Sequence, residues 1–232
     1  MAESAEKHAP LGRADDASRQ LERAVRFICA HDRVSRISLI AHSWGSIVSG
    51  RFAGEHPRLV DRLVFFGPIA WRTRRADPQR RLISLKDQWD RFVADVPPGE
   101  RPVLAKHHFD EWGEVYLDID PDSRKGSPPA VKTPSGAFQD IYDAWAGKLA
   151  YDPALVRAPI SIIRGEWDGM CTEDDAKWLF NALKSSPIRR TVTISRGTHL
   201  MHLEESRYAL YRETEAFLAG NDAVAARYPQ AA

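Results

Sequence analysis

Four short apolar runs punctuate the chain, and each is followed by a stretch of helical periodicity. "RISLIAH" (36–42), "DRLVFFG" (61–67) and "APISIIRG" (158–165) are nearly continuous in apolar residues. Runs of that length without alternation suit strands buried on both faces, as in a parallel sheet. "RTVTIS" (190–195) alternates, which predicts a fourth strand with one wetter face. Asp15 or Asp16 is placed to cap a first helix that carries Leu21, Ala24, Val25 and Ile28 on one face. A second helix is expected from Gly45 to Glu55, ending before Pro57. Ala176, Leu179, Phe180 and Leu183 mark a later helix, and Leu210, Tyr211, Thr214, Phe217 and Leu218 a closing one. Strands alternating with helices predict a parallel sheet covered on both faces.

Residues 69–157 break the alternation. Leu82, Leu85, Trp89, Phe92 and Val93 form one helical stripe, and Phe138, Ile141, Tyr142, Trp145 and Leu149 another. A third, less regular helix is expected within 104–117. Between them "DIDPDSRKGSPPAVKTPSG" (118–136) holds four prolines and two glycines and reads as a loop. No strand signal interrupts the region. The expected organisation is a core of 1–68 and 158–232 with a helical insertion at 69–157.

Composition narrows the partners. The 232 residues carry 33 Lys and Arg against 32 Asp and Glu, a net charge of +1 that gives no footprint for nucleic acid. Two cysteines, Cys29 and Cys171, are too few for a disulfide framework and read as reduced core thiols. The N-terminus is polar, and no apolar run is long enough to span a membrane. A soluble cytoplasmic protein is the expectation. His107 and His108 with Asp110 and Glu111 read as a solvated patch rather than metal ligands, because adjacent histidines do not share a helix face. There is no phosphate-cradling glycine motif, and no cofactor or metal is expected.

The candidate chemistry begins at "AHSWG" (41–45). A serine hydroxyl is a weak nucleophile until it meets a base and is presented on a tight strand-to-helix turn. The turn closes only if the residues two before and two after are small, here Ala41 and Gly45. The plainer alternative makes Ser43 a helix cap. "IIRGEWDGM" puts Asp168 just beyond the third strand, and "ISRGTHLMHLE" puts His199 just beyond the fourth. In a parallel sheet those loops open on the edge that holds Ser43. His42 is expected to pack, His202 is the lesser candidate for the base, Glu166 reads as a loop residue, and Asp174 and Asp175 as caps.

The order Ser43, Asp168, His199 and the A-x-S-x-G turn resemble an α/β-hydrolase from about residue 16 to 219. The resemblance implies a Ser-His-Asp site beneath an inserted helical cap and hydrolysis of a small-molecule carboxylic ester or amide through an acyl-enzyme. Ser43 would be the nucleophile, His199 the general base and Asp168 its orienting acid. Trp44 would supply an oxyanion N–H. The resembled fold has strands before the nucleophile strand, and this sequence shows no counterpart for them or for the loop bearing the second oxyanion donor. The expected core is therefore a partial α/β-hydrolase of about four strands. Its nucleophile strand, 37–42, is left as an open apolar edge suited to self-association. A non-catalytic remnant or strand-pairing subunit is the alternative reading. Trp71, Trp89, Trp112 and Trp145 either line a cleft for a bulky apolar acyl group or fasten the insertion to the core. Arg72, Arg74, Arg75, Arg80 and Arg81 read as solvated surface or, less favoured, as a site for an acidic partner.

Overall fold

A computed structural model describes residues 10–73 and 82–220. Four strands form one parallel sheet: β1 (Ile37–His42), β2 (Val60–Phe66), β5 (Ile160–Gly165) and β6 (Arg189–Ile194), in the order β1-β2-β5-β6. The helices that return the chain between strands are α2 (Gly45–Glu55) and α6 (Glu173–Ala182), with α1 (Ala14–Asp32) before β1 and α7 (Arg207–Leu218) after β6. The sheet and its flanking helices have the α/β-hydrolase architecture.

Two apolar clusters sit on opposite faces, and the period of two along each strand sorts residues between them. Leu63 and Phe65 of β2 and Ile160 and Ile162 of β5 pack with Ile47 and Phe52 of α2 and Leu179 of α6. Val64, Phe66 and Ile163 face the other way, against Leu210 and Phe217 of α7. α7 lies over β2, β5 and β6. β1 lies beyond that cover, so Ile40 is 57 % exposed although its strand neighbour Ala41 is buried. The other edge strand, β6, turns Arg189, Thr191 and Thr193 outward.

The first helix departs from its predicted face. Ala14, Ser18 and Val25 are buried, whereas Ala24, Phe27 and Ile28 are exposed, since α1 packs on α2 along a narrower stripe. Its N-terminus is not capped by Asp15 or Asp16. Asp140, 126 residues away, accepts the Ala14 N–H at 2.6 Å, while Asp15 and Asp16 pair with Arg19.

Between β2 and β5 lie α3 (Leu85–Val93), α4 (Lys106–Asp118) and α5 (Ser135–Trp145). The region is not purely helical, as its pattern predicted. β3 (Leu82–Ser84) and β4 (Ala130–Lys132) form an antiparallel pair. β3 was hidden because Leu82 continues the stripe of α3, yet Ser84 stops that helix with a reciprocal capping box to Asp87. β4 sits within the proline-rich loop. α5 ends at Trp145, before Leu149, where Gly147 adopts φ +86°. Among the described residues no helix is long and apolar enough to cross a membrane.

Candidate active site

Ser43 stands at the end of β1 with φ +53°, a left-handed conformation that costs a serine about 1–3 kcal/mol and marks a tight turn. Ser43 is not a helix cap; Trp44 occupies that position and its side chain caps nothing. The Ser43 N–H donates to the Phe66 carbonyl at 3.2 Å, which continues the β1–β2 ladder into the turn. The alanine at 41 is compatible with the turn: a Cβ built at Gly45 lies 3.9 Å from the Ala41 Cβ, ordinary van der Waals contact.

The three predicted loops meet. Ser43 Oγ is 2.8 Å from His199 Nε2, and His199 Nδ1 is 3.0 and 3.1 Å from the two oxygens of Asp168. Asp168 Oδ1 also accepts the Met170 and Cys171 N–H groups at 2.9 and 2.8 Å. Asp168 and His199 are 2 % and 5 % exposed, so water hardly competes for the pair. A carboxylate that accepts from Nδ1–H leaves Nε2 bare and pointed at the hydroxyl.

Several residues that build this row carried no chemical signal in the sequence. Gly67 ends β2 with φ +53°, and a Cβ there would meet His199 Nδ1 at 2.9 Å and Asp168 Oδ2 at 3.0 Å. The Gly67-Pro68 pair reads as a strand stop; its second use is to leave space for the histidine. Glu204, 1 % exposed, accepts the Thr198 N–H at 2.9 Å and the Thr198 hydroxyl, bracing the loop before His199. Burial pushes its carboxyl above the usual range. Asp95 accepts the Gly169 N–H at 3.0 Å beside Asp168, and burial raises its pKa as well.

The two other histidines of the motifs pack against the site. His42 stacks on Phe66 at 4.2 Å and donates Nε2–H to the His199 carbonyl at 2.9 Å. Burial and the charges of His199, His202 and Arg91 hold it well below the ordinary histidine range, so it is neutral at pH 7. His202 lies 4.8 Å from His42, its Nδ1 has no hydrogen-bond partner, and burial lowers its pKa to about 4. Neither replaces His199.

Trp44 is fastened through its indole. Its indole Nε1–H donates at 2.9 Å to Asp140 of α5, the carboxylate that also accepts from Ala14 N–H and pairs with Arg13 Nε at 2.6 Å. Among the described residues no group accepts the Trp44 backbone N–H, which lies at the first turn of α2 beside the serine. The remaining tryptophans mostly brace. Trp89 and Trp112 join Phe92, Phe109 and Leu200 in an apolar cluster, Trp71 stacks on Trp178, and Trp145 lies under the Arg72 guanidinium. Arg72 pairs with Asp175, which also closes the capping box of α6; Arg74, Arg75, Arg80 and Arg81 lie outside the described residues. Glu166 accepts the Arg196 N–H at 3.0 Å, and Asp174 is exposed. His107 and His108 lie side by side on α4, and among the described residues no group of three His, Cys, Asp or Glu side chains could hold a metal. Cys171 is buried, and Cys29 partly so, both as free thiols.

A strand, a serine held at positive φ and an ensuing helix, with the acid and histidine loops on the same sheet edge, define the α/β-hydrolase class. The family model for serine aminopeptidase, S33, matches residues 2–206, and the chain belongs to that family. No curated protein matches the chain. Among solved structures, the monoacylglycerol lipase of Paleococcus ferrophilus is similar at 15 % identity and TM-score 0.57, over 90 % of this chain and 76 % of that one. The 2-hydroxy-6-oxo-6-phenylhexa-2,4-dienoate hydrolase of Rhodococcus sp. strain RHA1 matches at 18 % identity and TM-score 0.59, over 90 % and 74 %. A serine hydrolase involved in carbazole degradation matches at 17 % identity and TM-score 0.60, over 91 % and 74 %. At these identities the likeness is one of fold.

Proposed function

We propose that the protein is a serine hydrolase that cleaves a carboxylic ester or amide through an acyl-enzyme on Ser43. The observation that carries this reading is the unbroken row from Ser43 Oγ to His199 Nε2 at 2.8 Å and from His199 Nδ1 to Asp168 at 3.0 Å. Ser43 Oγ attacks the substrate carbonyl carbon and passes its proton to His199 Nε2. The imidazolium so formed is stabilised by Asp168, which keeps the ring in place. The new oxyanion forms beside the Trp44 N–H, which is free to donate to it. Collapse expels the alcohol or amine, which takes the proton from His199. Water then repeats the sequence on the acyl-enzyme and releases the acid. The segment between β2 and β5 acts as a cap, since Asp140 and Asp95 fasten it to Trp44 and to the loop of Asp168.

The test is covalent labelling with a fluorescent fluorophosphonate together with hydrolysis of p-nitrophenyl butyrate. Wild type is expected to be labelled and Ser43→Ala to be blank, with turnover down by about 10⁴- to 10⁶-fold. A folded wild-type protein that takes no label overturns the reading. The open edge of β1, where Ile40 is 57 % exposed, favours a second role as a pairing surface for another copy of the chain. That role is compatible with catalysis, and concentration-dependent sedimentation tests it.

A further inference from the structure

A cavity of about 490 Å³ lies in the inserted segment between α3 and α5. Ile83, Gln88 and Arg91 line one side and Phe138 and Tyr142 the other. That volume is within the range of small-molecule sites. Both flanks of the cavity lead to residues that bond next to the row of Ser43, His199 and Asp168. Asp95, one turn beyond Arg91, holds the Gly169 N–H, and Asp140, two residues before Tyr142, holds the Trp44 indole.

The polar groups of this cavity are unequally satisfied. Asp87 is occupied by the Ser84 N–H and hydroxyl, and Asp90 pairs with Lys86. Arg91 has no carboxylate within ion-pair distance among the described residues. Its guanidinium lies over the Phe92 ring, 5.8 Å from the centroid. Burial lowers its pKa, Tyr116 and Tyr142 nearby act in the opposite sense, and the residue remains exposed to solvent. Gln88 is 7 % exposed, and its Oε1 has no hydrogen-bond partner. A buried amide left unpaired costs about 1–3 kcal/mol, and an amide turned by 180° presents its N–H₂ at the same point. A guanidinium without an ion-pair partner among the described residues, beside an unpaired amide, is complementary to an anion with two coplanar oxygens.

We infer that Arg91, with Gln88, selects substrates bearing a carboxylate, which makes the preferred substrate an ester or amide with a free acid group. This rests on Ser43 being the nucleophile. The carboxylate can sit on the acyl or the alcohol side, and the probes separate the two. The mono-p-nitrophenyl esters of adipic and suberic acid are compared with p-nitrophenyl hexanoate and octanoate, and acetyl esters of hydroxyalkanoic acids with acetyl esters of the matching neutral alcohols. In at least one series kcat/KM is expected to favour the acid by tenfold or more. Arg91→Gln should erase that preference while neutral-ester turnover stays within twofold and fluorophosphonate labelling of Ser43 is unchanged. Arg91→Lys should restore part of it. No preference in either series, or an equal loss on acidic and neutral esters in Arg91→Gln, overturns the inference and leaves labelled Ser43 untouched. Binding is read apart from catalysis: adipate should raise the melting temperature of Ser43→Ala and fail to raise that of the Ser43→Ala, Arg91→Gln double variant. Equal shifts in both overturn the inference as well.

Discussion

The catalytic row at the rim of the parallel sheet and the wall of the cavity in the inserted segment differ in how their polar atoms are paired. At the rim, Ser43 Oγ, both nitrogens of His199 and both oxygens of Asp168 have partners. In the insertion, among the described residues, Gln88 Oε1 and Trp145 Nε1 are buried without one, and Arg91 makes no ion pair with a carboxylate. The first region is organised before any ligand arrives, which is what stabilising a transition state requires. On the proposed reading, the bond-breaking machinery stays fixed while the insertion decides what reaches it.

The largest expected effect bears on the rim. Asp168→Asn keeps the shape of the acid but hands His199 the wrong tautomer, and kcat should fall by about 10⁴-fold while the melting curve stays close to wild type. A loss of less than tenfold would break the contrast, because the rim would then not act as one unit.

Asp140 joins the two regions and comes next. Asp140→Ala leaves Arg13, the Ala14 N–H and the Trp44 indole without their shared acceptor. Urea denaturation should show a loss of about 3 kcal/mol, at the low end for a broken buried pair because Arg13 is partly exposed. Trp44→Phe removes one of those donors and should cost about 1 kcal/mol. Equal stability of Asp140→Ala and wild type would mean that the insertion is not fastened there.

Acid should act through the histidines behind the rim. His202 has a pKa of about 4 in the folded chain against 6.5 in a free one. Between those values the unfolded chain binds a proton that the folded chain refuses. The stability is present above about pH 6.5 and is lost as pH falls toward 4, by up to about 3 kcal/mol. His42, shifted down as well, acts in the same sense. Asp95 and Glu204, raised by burial, act in the opposite sense: the folded chain holds their protons longer, so their contribution is lost as pH rises past the carboxylate range. His202→Phe keeps the packing against Phe66 and isolates one part. Its unfolding free energy should drop by about 1–3 kcal/mol less than wild type between pH 7 and pH 4.5. Parallel profiles would remove His202 from the account.

The smallest effect concerns the sheet edges. β6 exposes Arg189 and threonines, whereas β1 exposes Ile40. Ile40→Lys gives the second edge the chemistry of the first, and sedimentation should show weaker association at high concentration with stability changed by less than about 0.5 kcal/mol. Association unchanged by the lysine would place the pairing surface elsewhere.

Much of this molecule is legible from local pattern. The four sheet strands and the order of Ser43, Asp168 and His199 follow from apolar periodicity and loop position, because burial on both faces of a parallel strand leaves a continuous apolar signature. β3 and β4 were illegible, since three residues carry too little period to separate them from a helical stripe or a proline-rich loop.

The sequence by itself determined that three loops end on one side of a parallel sheet and carry a hydroxyl, an acid and an imidazole. Only the tertiary structure decided that Gly67 leaves room for the His199 ring, that Asp140 caps a helix 126 residues away while gripping Trp44, and that Arg91 and Gln88 line one cavity. The reason is physical. Periodicity records which face of an element is buried, but a hydrogen bond or an ion pair belongs to two positions at once, and the distance between them is set by packing.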